Sequence, residues 1–256
     1  MGPDNEFAFS AALAVAERRA AGYNPLFIYG GSGLGKTHLL HAIRNRMLGD
    51  NPTLNIPLFS SERFMHDLLI SIQNKTRPEF HEKYHREADV MIVDDIQFIA
   101  TKDYVQEEFF HLFNMIRDAG KQIVIASDRP PKAFSLLQER LRTRFEWGLM
   151  VDIQPPNLET RIAILRAKAQ VMGKILPDSV SQHIAENTTN VRQIEGIVKK
   201  LVAYNDLMNF SISIETAKRA ITDLMNENPN LNPTPEMVLQ QVCSYYGVEP
   251  VFVQFA

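Results

Sequence analysis

Eight residues between an apolar run and a helical pattern have the types and spacing of a phosphate-binding loop, because residues 30–37 read GGSGLGKT. In a loop of the form G-x-x-x-x-G-K-T, glycines let backbone N–H groups curl around phosphate oxygens, and the following helix adds partial positive charge. The lysine reaches the β- and γ-phosphates, and the threonine hydroxyl ligates Mg²⁺. The sequence therefore predicts a nucleoside triphosphate site formed by Gly31, Ser32, Gly33, Leu34, Gly35, Lys36, Thr37 and His38.

Three aspartates follow predicted strands farther along the chain. The apolar run of residues 90–93 places Asp94 and Asp95 at the carboxyl edge of a sheet, where open α/β sheets bind ligands. Asp94 fits the carboxylate that holds Mg²⁺ through its waters, and Asp95 fits the acid that activates the attacking water. Asp128 follows the run 123–126 and would lie beside the γ-phosphate, although aspartate is equally typical of a turn start.

Arginines supply a second set of candidate residues. Arg140 and Arg144 lie in the dense run ERLRTRF, and Arg192 stands near the start of a later predicted helix. An arginine can stabilise charge on a transferring phosphoryl group, from its own chain or from a neighbour. The alternative is a solvated helix face with charge pairs between successive turns, so the arginines alone do not decide between these roles.

An α/β domain is needed to bring these residues together. Predicted strands alternate with predicted helices up to residue 153, which indicates crossover connections and a parallel sheet. After Pro155 and Pro156 the pattern is helical only. The sequence predicts an α/β fold, a P-loop parallel sheet flanked by helices, followed by a smaller all-helical domain.

Composition excludes several classes of protein. A formal net charge of −3 provides no global positive field for nucleic acid, so any such contact must be local. No apolar stretch is long enough to span a bilayer. The single cysteine, Cys243, allows no internal disulfide and fits a reducing compartment. We therefore expect a cytoplasmic protein without a membrane span.

Longer runs around the candidate residues closely resemble the DnaA family of bacterial chromosomal replication initiators. The resemblance extends from about Phe7 to Met225 and implies an AAA+ ATPase region with a base and a lid. The segments that carry it are the phosphate loop with its flanks, Asn24–Ile43, and the runs Val93–Phe98, Gln106–His111, Gly120–Ile125, Ser127–Pro131, Arg144–Leu149, Pro155–Arg161 and Asn190–Gly196.

The resemblance implies roles that position alone leaves open. Asp128 matches a sensor acid, Arg144 the arginine finger that enters a neighbour's ATP, Arg140 a second interface arginine, and Arg192 a sensor of the subunit's own ATP. It further implies ATP or ADP with Mg²⁺, slow hydrolysis that depends on assembly, and head-to-tail self-association through Arg144 into a helical oligomer on origin DNA. The replicative helicase and regulatory proteins are further partners that it allows.

Single-stranded origin DNA is another partner that the resemblance implies. Residues 61–88 resemble a helical insertion specific to initiators, and Ile70, Lys102 and Val105 fall where family members contact the strand. Tyr104 stands where an arginine is common; tyrosine can stack on a base but cannot pair with a phosphate. Packing on a helix surface is the alternative for all four residues.

With the resemblance, the domain boundaries are expected as follows: 1–24 for an N-terminal tag or linker and a leading helix, 25–155 for the AAA+ base, 156–227 for the lid, and 228–256 for a linker and a remnant of a DNA-binding domain. No lysine or arginine follows Arg219, so we expect no tight binding to duplex DNA. Two other functions remain open, a helicase loader or regulatory AAA+ ATPase that acts through protein partners, and a binding module with a purely structural nucleotide.

Overall fold

The computed structural model describes residues 5–17, 22–86 and 88–227. These form two compact units. The first contains the described residues up to Arg161 together with Thr189–Arg192, and the second contains Ile162–Thr188 and the described residues from Gln193 onward. The expectations for residues 228–256, including Cys243, lie outside the described residues.

A five-stranded parallel sheet forms the centre of the first unit. Its strands are β1 (Leu26–Tyr29), β2 (Leu58–Ser60), β3 (Val90–Asp94), β4 (Gln122–Ser127) and β5 (Leu149–Asp152). Their order across the sheet is β2-β3-β4-β1-β5, and every neighbouring pair is parallel. The predicted parallel sheet is therefore confirmed, and β1, β3 and β4 lie side by side at its centre.

Helices connect the strands and make up the second unit. The described helices are α1 (Glu6–Ala16), α2 (Lys36–Asp50), α3 (Ser61–Asn74), α4 (Arg77–His81), α5 (Asp103–Asp118), α6 (Glu139–Glu146), α7 (Leu158–Val171), α8 (Asp178–Glu186), α9 (Val191–Met208) and α10 (Ile214–Glu227). Hydrophobic periodicity does not predict α4, a π-helical turn at Glu82–Arg86 or a 3-10 helix at Ile96–Thr101. Elements this short contain too few turns to show a repeating apolar face.

Both faces of the sheet are buried. Phe27 points into one apolar cluster, whereas its neighbours Leu26 and Ile28 point into a second cluster on the opposite face. Because successive residues of a strand face opposite sides, a continuous apolar run is what a sheet covered on both sides requires. The second unit has its own core, centred on buried residues such as Leu165, Ile184, Ile194 and Leu201.

No described helix is both long and apolar enough to cross a bilayer.

Candidate nucleotide site and arginine face

The predicted phosphate loop lies between the end of β1 and the start of α2. Gly33 and Gly35 adopt left-handed backbone angles, with φ of 76° and 94°. Glycine adopts these angles without the steric cost that a Cβ imposes. The helix starts at Lys36 directly after the loop, so its first N–H groups have no partner within the helix. The local sequence thus produces a loop that can present N–H groups to an anion.

The loop lysine folds back over the loop. The Nζ atom of Lys36 donates hydrogen bonds to the carbonyl oxygens of Gly30 at 2.7 Å and Gly31 at 2.9 Å. Burial lowers the pKa of Lys36, while the nearby charges of Asp95 and Asp94 oppose this shift. These acids and the lysine therefore belong to one electrostatic site, although the chain separates them widely.

Thr37 and Asp94 are in direct contact. The Thr37 hydroxyl donates to Oδ2 of Asp94 at 2.6 Å, and the Asp95 backbone N–H donates to Oδ1 of the same carboxylate at 2.9 Å. Asp94 is buried at the end of β3. A hydroxyl and a carboxylate are hard oxygen donors, and Mg²⁺ bound with a nucleotide needs only one or two protein carboxylates. The two residues predicted to hold Mg²⁺ thus lie together with suitable chemistry.

Gln97 connects the ends of the two central strands β3 and β4. The sequence did not predict this contact. Its Nε2 donates to Oδ1 of Asp95 at 3.0 Å, and its Oε1 accepts from the backbone N–H of Asp128 at 3.3 Å. Asp95 itself has left-handed backbone angles, with φ of 52°. No local pattern predicts this bridge, because the Asp128 contact depends on β3 and β4 being neighbours in the sheet.

The Asp128 carboxylate forms a two-point ion pair with the next residue in the chain. Arg129 donates from Nε and Nη2 to the two carboxylate oxygens, at 2.9 and 2.8 Å. This interaction raises the pKa of Arg129. Asp128 follows β4 directly, so its backbone joins the Gln97 bridge while its side chain is paired with an exposed arginine.

Arg192 lies against the phosphate loop. Its Nη1 donates to the Ser32 hydroxyl at 3.1 Å, and the Val191 N–H donates to the carbonyl of Gly33 at 3.1 Å. An added Cβ at Gly33 would lie 3.0 Å from both the Arg192 Cβ and the Asn190 side-chain oxygen. Gly33 therefore permits the close approach that brings Arg192 to the loop.

Two of the three arginines of α6 have aromatic neighbours instead. The Arg140 guanidinium carbon lies 4.7 Å from the Phe110 ring centre, and that of Arg144 lies 5.0 Å from the Trp147 ring centre. Neither arginine forms an ion pair or hydrogen-bonds to the loop within the described part of the chain. Arg142, between them, pairs with Glu139 at 2.7 Å. The charge-paired alternative thus describes Arg142, although its side chain is only 26% exposed, and it does not describe Arg140 or Arg144.

The four residues expected at single-stranded DNA differ in exposure. Ile70 on α3 and Tyr104 on α5 are each 40% exposed, and Lys102 at the start of α5 is also exposed. Val105 has no exposed surface and packs in the core. The packing alternative therefore describes Val105, whose side chain has no surface to offer a strand.

Comparison with known proteins is decisive for the family. The family described as the bacterial DnaA ATPase domain matches residues 1–152. The chain belongs to this family. A chromosomal replication initiator protein DnaA from Chloroflexus aurantiacus is 51% identical over 250 residues, which cover 97% of this chain and 52% of that protein. The chain thus spans about half the length of the curated DnaA relatives that it matches.

Solved DnaA structures share the fold. Domain III of the Thermotoga maritima replication initiation protein DnaA is 42% identical, with a TM-score of 0.83 over 87% of this chain and 93% of that one. A replication initiator DnaA bound to AMPPCP and single-stranded DNA is 32% identical, with a TM-score of 0.76 over 97% of this chain and 72% of that one. The AAA+ class predicted from the sequence is confirmed.

Proposed function

We propose that this chain is the ATP-binding and ATP-hydrolysing AAA+ core of a replication initiator that assembles head to tail and engages single-stranded origin DNA. The observation that carries the proposal is the set of groups around one phosphate loop: Lys36, the Thr37–Asp94 pair, Asp95 and Arg192. Membership of the DnaA family supports the proposal, as does the relative bound to AMPPCP and single-stranded DNA. Such a role belongs to the cytoplasm.

The phosphates of ATP would be held by the N–H groups of the loop and the start of α2. Lys36 would exchange its bonds to the Gly30 and Gly31 carbonyls for phosphate oxygens. Thr37 and Asp94 would hold Mg²⁺, which when bound supplies positive charge to the β- and γ-phosphate oxygens. On this proposal the 2.6 Å Thr37–Asp94 contact opens to admit the ion.

Hydrolysis would use Asp95 to orient the attacking water and accept its proton. The hydrogen bond from Gln97 fixes one oxygen of that carboxylate, leaving the other for the water. Arg192 at Ser32 would contact the phosphates of its own subunit, and Asp128 would report whether the γ-phosphate is present. Arg192 already hydrogen-bonds to the loop, and the charges of Asp95 and Asp128 already act on Lys36, which supports placing these groups at one nucleotide.

Assembly would complete the site from outside. Arg144, with Arg140 beside it, has no anionic partner within the described chain and would contact the ATP of a neighbouring copy. Because that contact forms only between subunits, hydrolysis would be slow in the isolated chain and faster on assembly. Head-to-tail contacts that do not close give a helical filament. Exposed Ile70, Lys102 and Tyr104 would contact single-stranded DNA.

The test compares ATP turnover with protein concentration. Wild-type turnover per subunit should rise as the chain assembles, whereas Arg144→Ala should bind ATP with normal affinity but show neither assembly nor the rise. Asp95→Asn should assemble without turnover. Mixing these two variants should restore turnover, because the intact nucleotide site of one meets the intact arginine of the other. Normal ATP-dependent assembly and turnover of Arg144→Ala would refute the head-to-tail proposal.

A further inference from the structure

Three guanidinium groups and two aromatic rings alternate across one surface of the first unit. The guanidinium carbon of Arg117 lies 3.7 Å from the Trp147 ring centre, and that of Arg144 lies 5.0 Å from it. Arg144 also lies 5.9 Å from the Phe110 ring centre, and Arg140 lies 4.7 Å from it. We call these five residues the arginine ladder. Of its members, the family resemblance assigned roles only to Arg140 and Arg144.

Two helices build the ladder from their sequence spacing. Arg140, Arg144 and Trp147 are four and then three residues apart, so they lie on one face at the end of α6. Phe110 and Arg117 are seven residues apart on α5, two turns along one face. The opposite side of α6 is buried through Leu141 and Phe145, which fixes the helix against the core.

The backbone fixes Trp147 as well. A Cβ added to the next residue, Gly148, would lie 1.9 Å from the carbonyl oxygen of Pro25, so only glycine fits there. The same carbonyl accepts a hydrogen bond from the Leu149 N–H at 3.0 Å. The chain therefore turns into β5 directly after Trp147. Yet the Trp147 side chain is 59% exposed, so core packing does not account for an aromatic residue at this position.

The ladder carries positive charge that no carboxylate neutralises. Within the part of the chain that the structure describes, Arg117, Arg140 and Arg144 form no ion pair. A guanidinium that lies over an aromatic ring keeps its in-plane N–H donors for other partners. One of these donors, the Arg140 Nε–H, bonds to the neutral amide oxygen of Gln138 at 2.9 Å. A carboxylate would instead consume those donors and the charge. A surface that orients arginines without pairing them is suited to an oxyanion from another molecule.

We infer that the arginine ladder receives the triphosphate of a second copy of this chain, with Trp147 as a positioning residue for Arg144 and with Arg117 as an additional arginine that contacts the phosphates. The inference rests on the proposed head-to-tail assembly and deepens it. Several guanidinium groups along one stripe can contact an extended polyphosphate at several points, whereas a single carboxylate would contact only one or two of them. The stacked rings hold the arginines in place before the neighbour arrives, which reduces the entropy lost on contact.

The first experiment tests whether the aromatic ring at residue 147 is needed, or only an apolar side chain. Trp147→Leu removes the aromatic face, and Trp147→Phe retains one. At concentrations where the wild type assembles, Trp147→Leu should lower turnover about tenfold, or about 1.4 kcal/mol of transition-state stabilisation. Trp147→Phe should stay within about threefold of the wild type, because a smaller ring still stacks. Val171→Ala, which shortens an 86% exposed apolar side chain of the second unit, is the matched control and should change nothing.

A purely structural role for Trp147 predicts a different result. If the ring only stabilised the fold, Trp147→Leu would lower the thermal unfolding midpoint and the affinity for ATP together with turnover. We expect the midpoint and the ATP affinity of the unassembled protein to stay at wild-type values. Mixing Trp147→Leu with Asp95→Asn should restore turnover, because the intact ladder of the second protein meets the intact nucleotide site of the first. Failure of this restoration would assign Trp147 to its own subunit and overturn the inference.

Arg117 has its own charge-matched test. Arg117→Lys keeps the positive charge but loses the planar group that stacks on Trp147. Arg117→Ala loses both. If the orientation of the guanidinium matters, both variants should lower ATP turnover of the assembled protein by a similar factor of about five, and turnover should be lower in Arg117→Ala than in Arg117→Lys. Wild-type turnover in both variants would remove Arg117 from the ladder's function.

Trp147 is the only tryptophan in the sequence, so its emission reports on the ladder directly. The emission should change when ATP drives assembly and should not change with single-stranded oligonucleotide in the absence of nucleotide. A change with oligonucleotide alone would mean that the ladder takes DNA phosphates, which contradicts the inference. If Arg144→Ala keeps assembly-dependent turnover, the proposed function fails. If Arg144→Ala loses it while Trp147→Leu and Arg117→Ala keep it, only the inference fails.

Discussion

Gln97→Leu tests whether the bridge between β3 and β4 acts in hydrolysis. Leucine is close to glutamine in size but can neither donate to Asp95 nor accept from the Asp128 N–H, bonds of 3.0 and 3.3 Å in the wild type. Gln97 is half-buried, so the replacement has room without exposing a large apolar surface. The substitution therefore removes the two hydrogen bonds and leaves the phosphate loop intact.

The expected size follows from the bonds that are lost. A hydrogen bond to a charged carboxylate contributes about 1.5–3 kcal/mol, and the longer bond to the backbone contributes about 0.5–1 kcal/mol. If about 1.4–2.7 kcal/mol of this sum orients Asp95 in the transition state, the hydrolysis step slows about 10- to 100-fold. ATP affinity should stay within about twofold, because the bonds that hold phosphates in such loops come from other residues.

Single-turnover hydrolysis under assembling conditions, with ATP affinity measured separately, gives both quantities. Gln182→Leu is the matched control, since Gln182 also donates to a carboxylate, that of Glu186 at 2.9 Å, on the exposed face of α8. It should leave both quantities unchanged. A wild-type hydrolysis rate in Gln97→Leu would refute the reasoning.

Two further predictions concern stability. Gly148→Ala should destabilise the fold by about 1–3 kcal/mol or more in a denaturant titration, since its Cβ would lie 1.9 Å from the Pro25 carbonyl oxygen. Gly49→Ala is the control, because Gly49 lies on α2 with open space around it, and this variant should be neutral or stabilising in the same titration. Burial raises the pKa of the Asp67 carboxyl, but hydrogen bonds from Lys83 and Tyr84 and the charge of Lys83 outweigh it, and the net pKa lies below the ordinary value. The resulting stabilisation is present above the ordinary pKa and is lost as the pH falls through the lowered pKa. On acidification below pH ~4, the thermal unfolding midpoint of Asp67→Asn should therefore fall by less than that of the wild type. An equal fall in both proteins would contradict the assignment.

Much of this protein's secondary structure could be predicted from local sequence patterns. The apolar runs that became β1, β3, β4 and β5, and the periodic helices between and after them, could be read without a structure, because burial on both faces and burial on one face leave different patterns. The short elements could not. The helix α4, the π-helical turn at Glu82–Arg86 and the 3-10 helix at Ile96–Thr101 take their conformations from packing around residues such as Phe80 and Ile99.

The site residues show the same difference between what local sequence patterns predict and what they do not. The types of Lys36, Thr37 and Asp94 in their motifs predicted one site, and the structure brings them together. Gln97 carried no signal, since a glutamine after a strand is unremarkable until a neighbouring strand provides its second partner. Val105 differs, because it lies four residues before Phe109 and seven before Leu112, and this spacing already places it on the buried face of α5.

By itself, the sequence determined the α/β class, the phosphate loop and the family, since backbone preference and side-chain chemistry at close spacing are local properties. Only the tertiary structure decided which distant groups meet. The order β2-β3-β4-β1-β5 places the ends of β3, β4 and β1 side by side, and so joins Asp95, Gln97 and Asp128 next to the loop. The packing of α5 near α6 also brings Trp147 close to the guanidinium groups of Arg117 and Arg144, which lie 3.7 and 5.0 Å from its ring centre. The physical reason is that such pairings depend on strand order and helix packing, which arise from the sum of many weak contacts across the whole core.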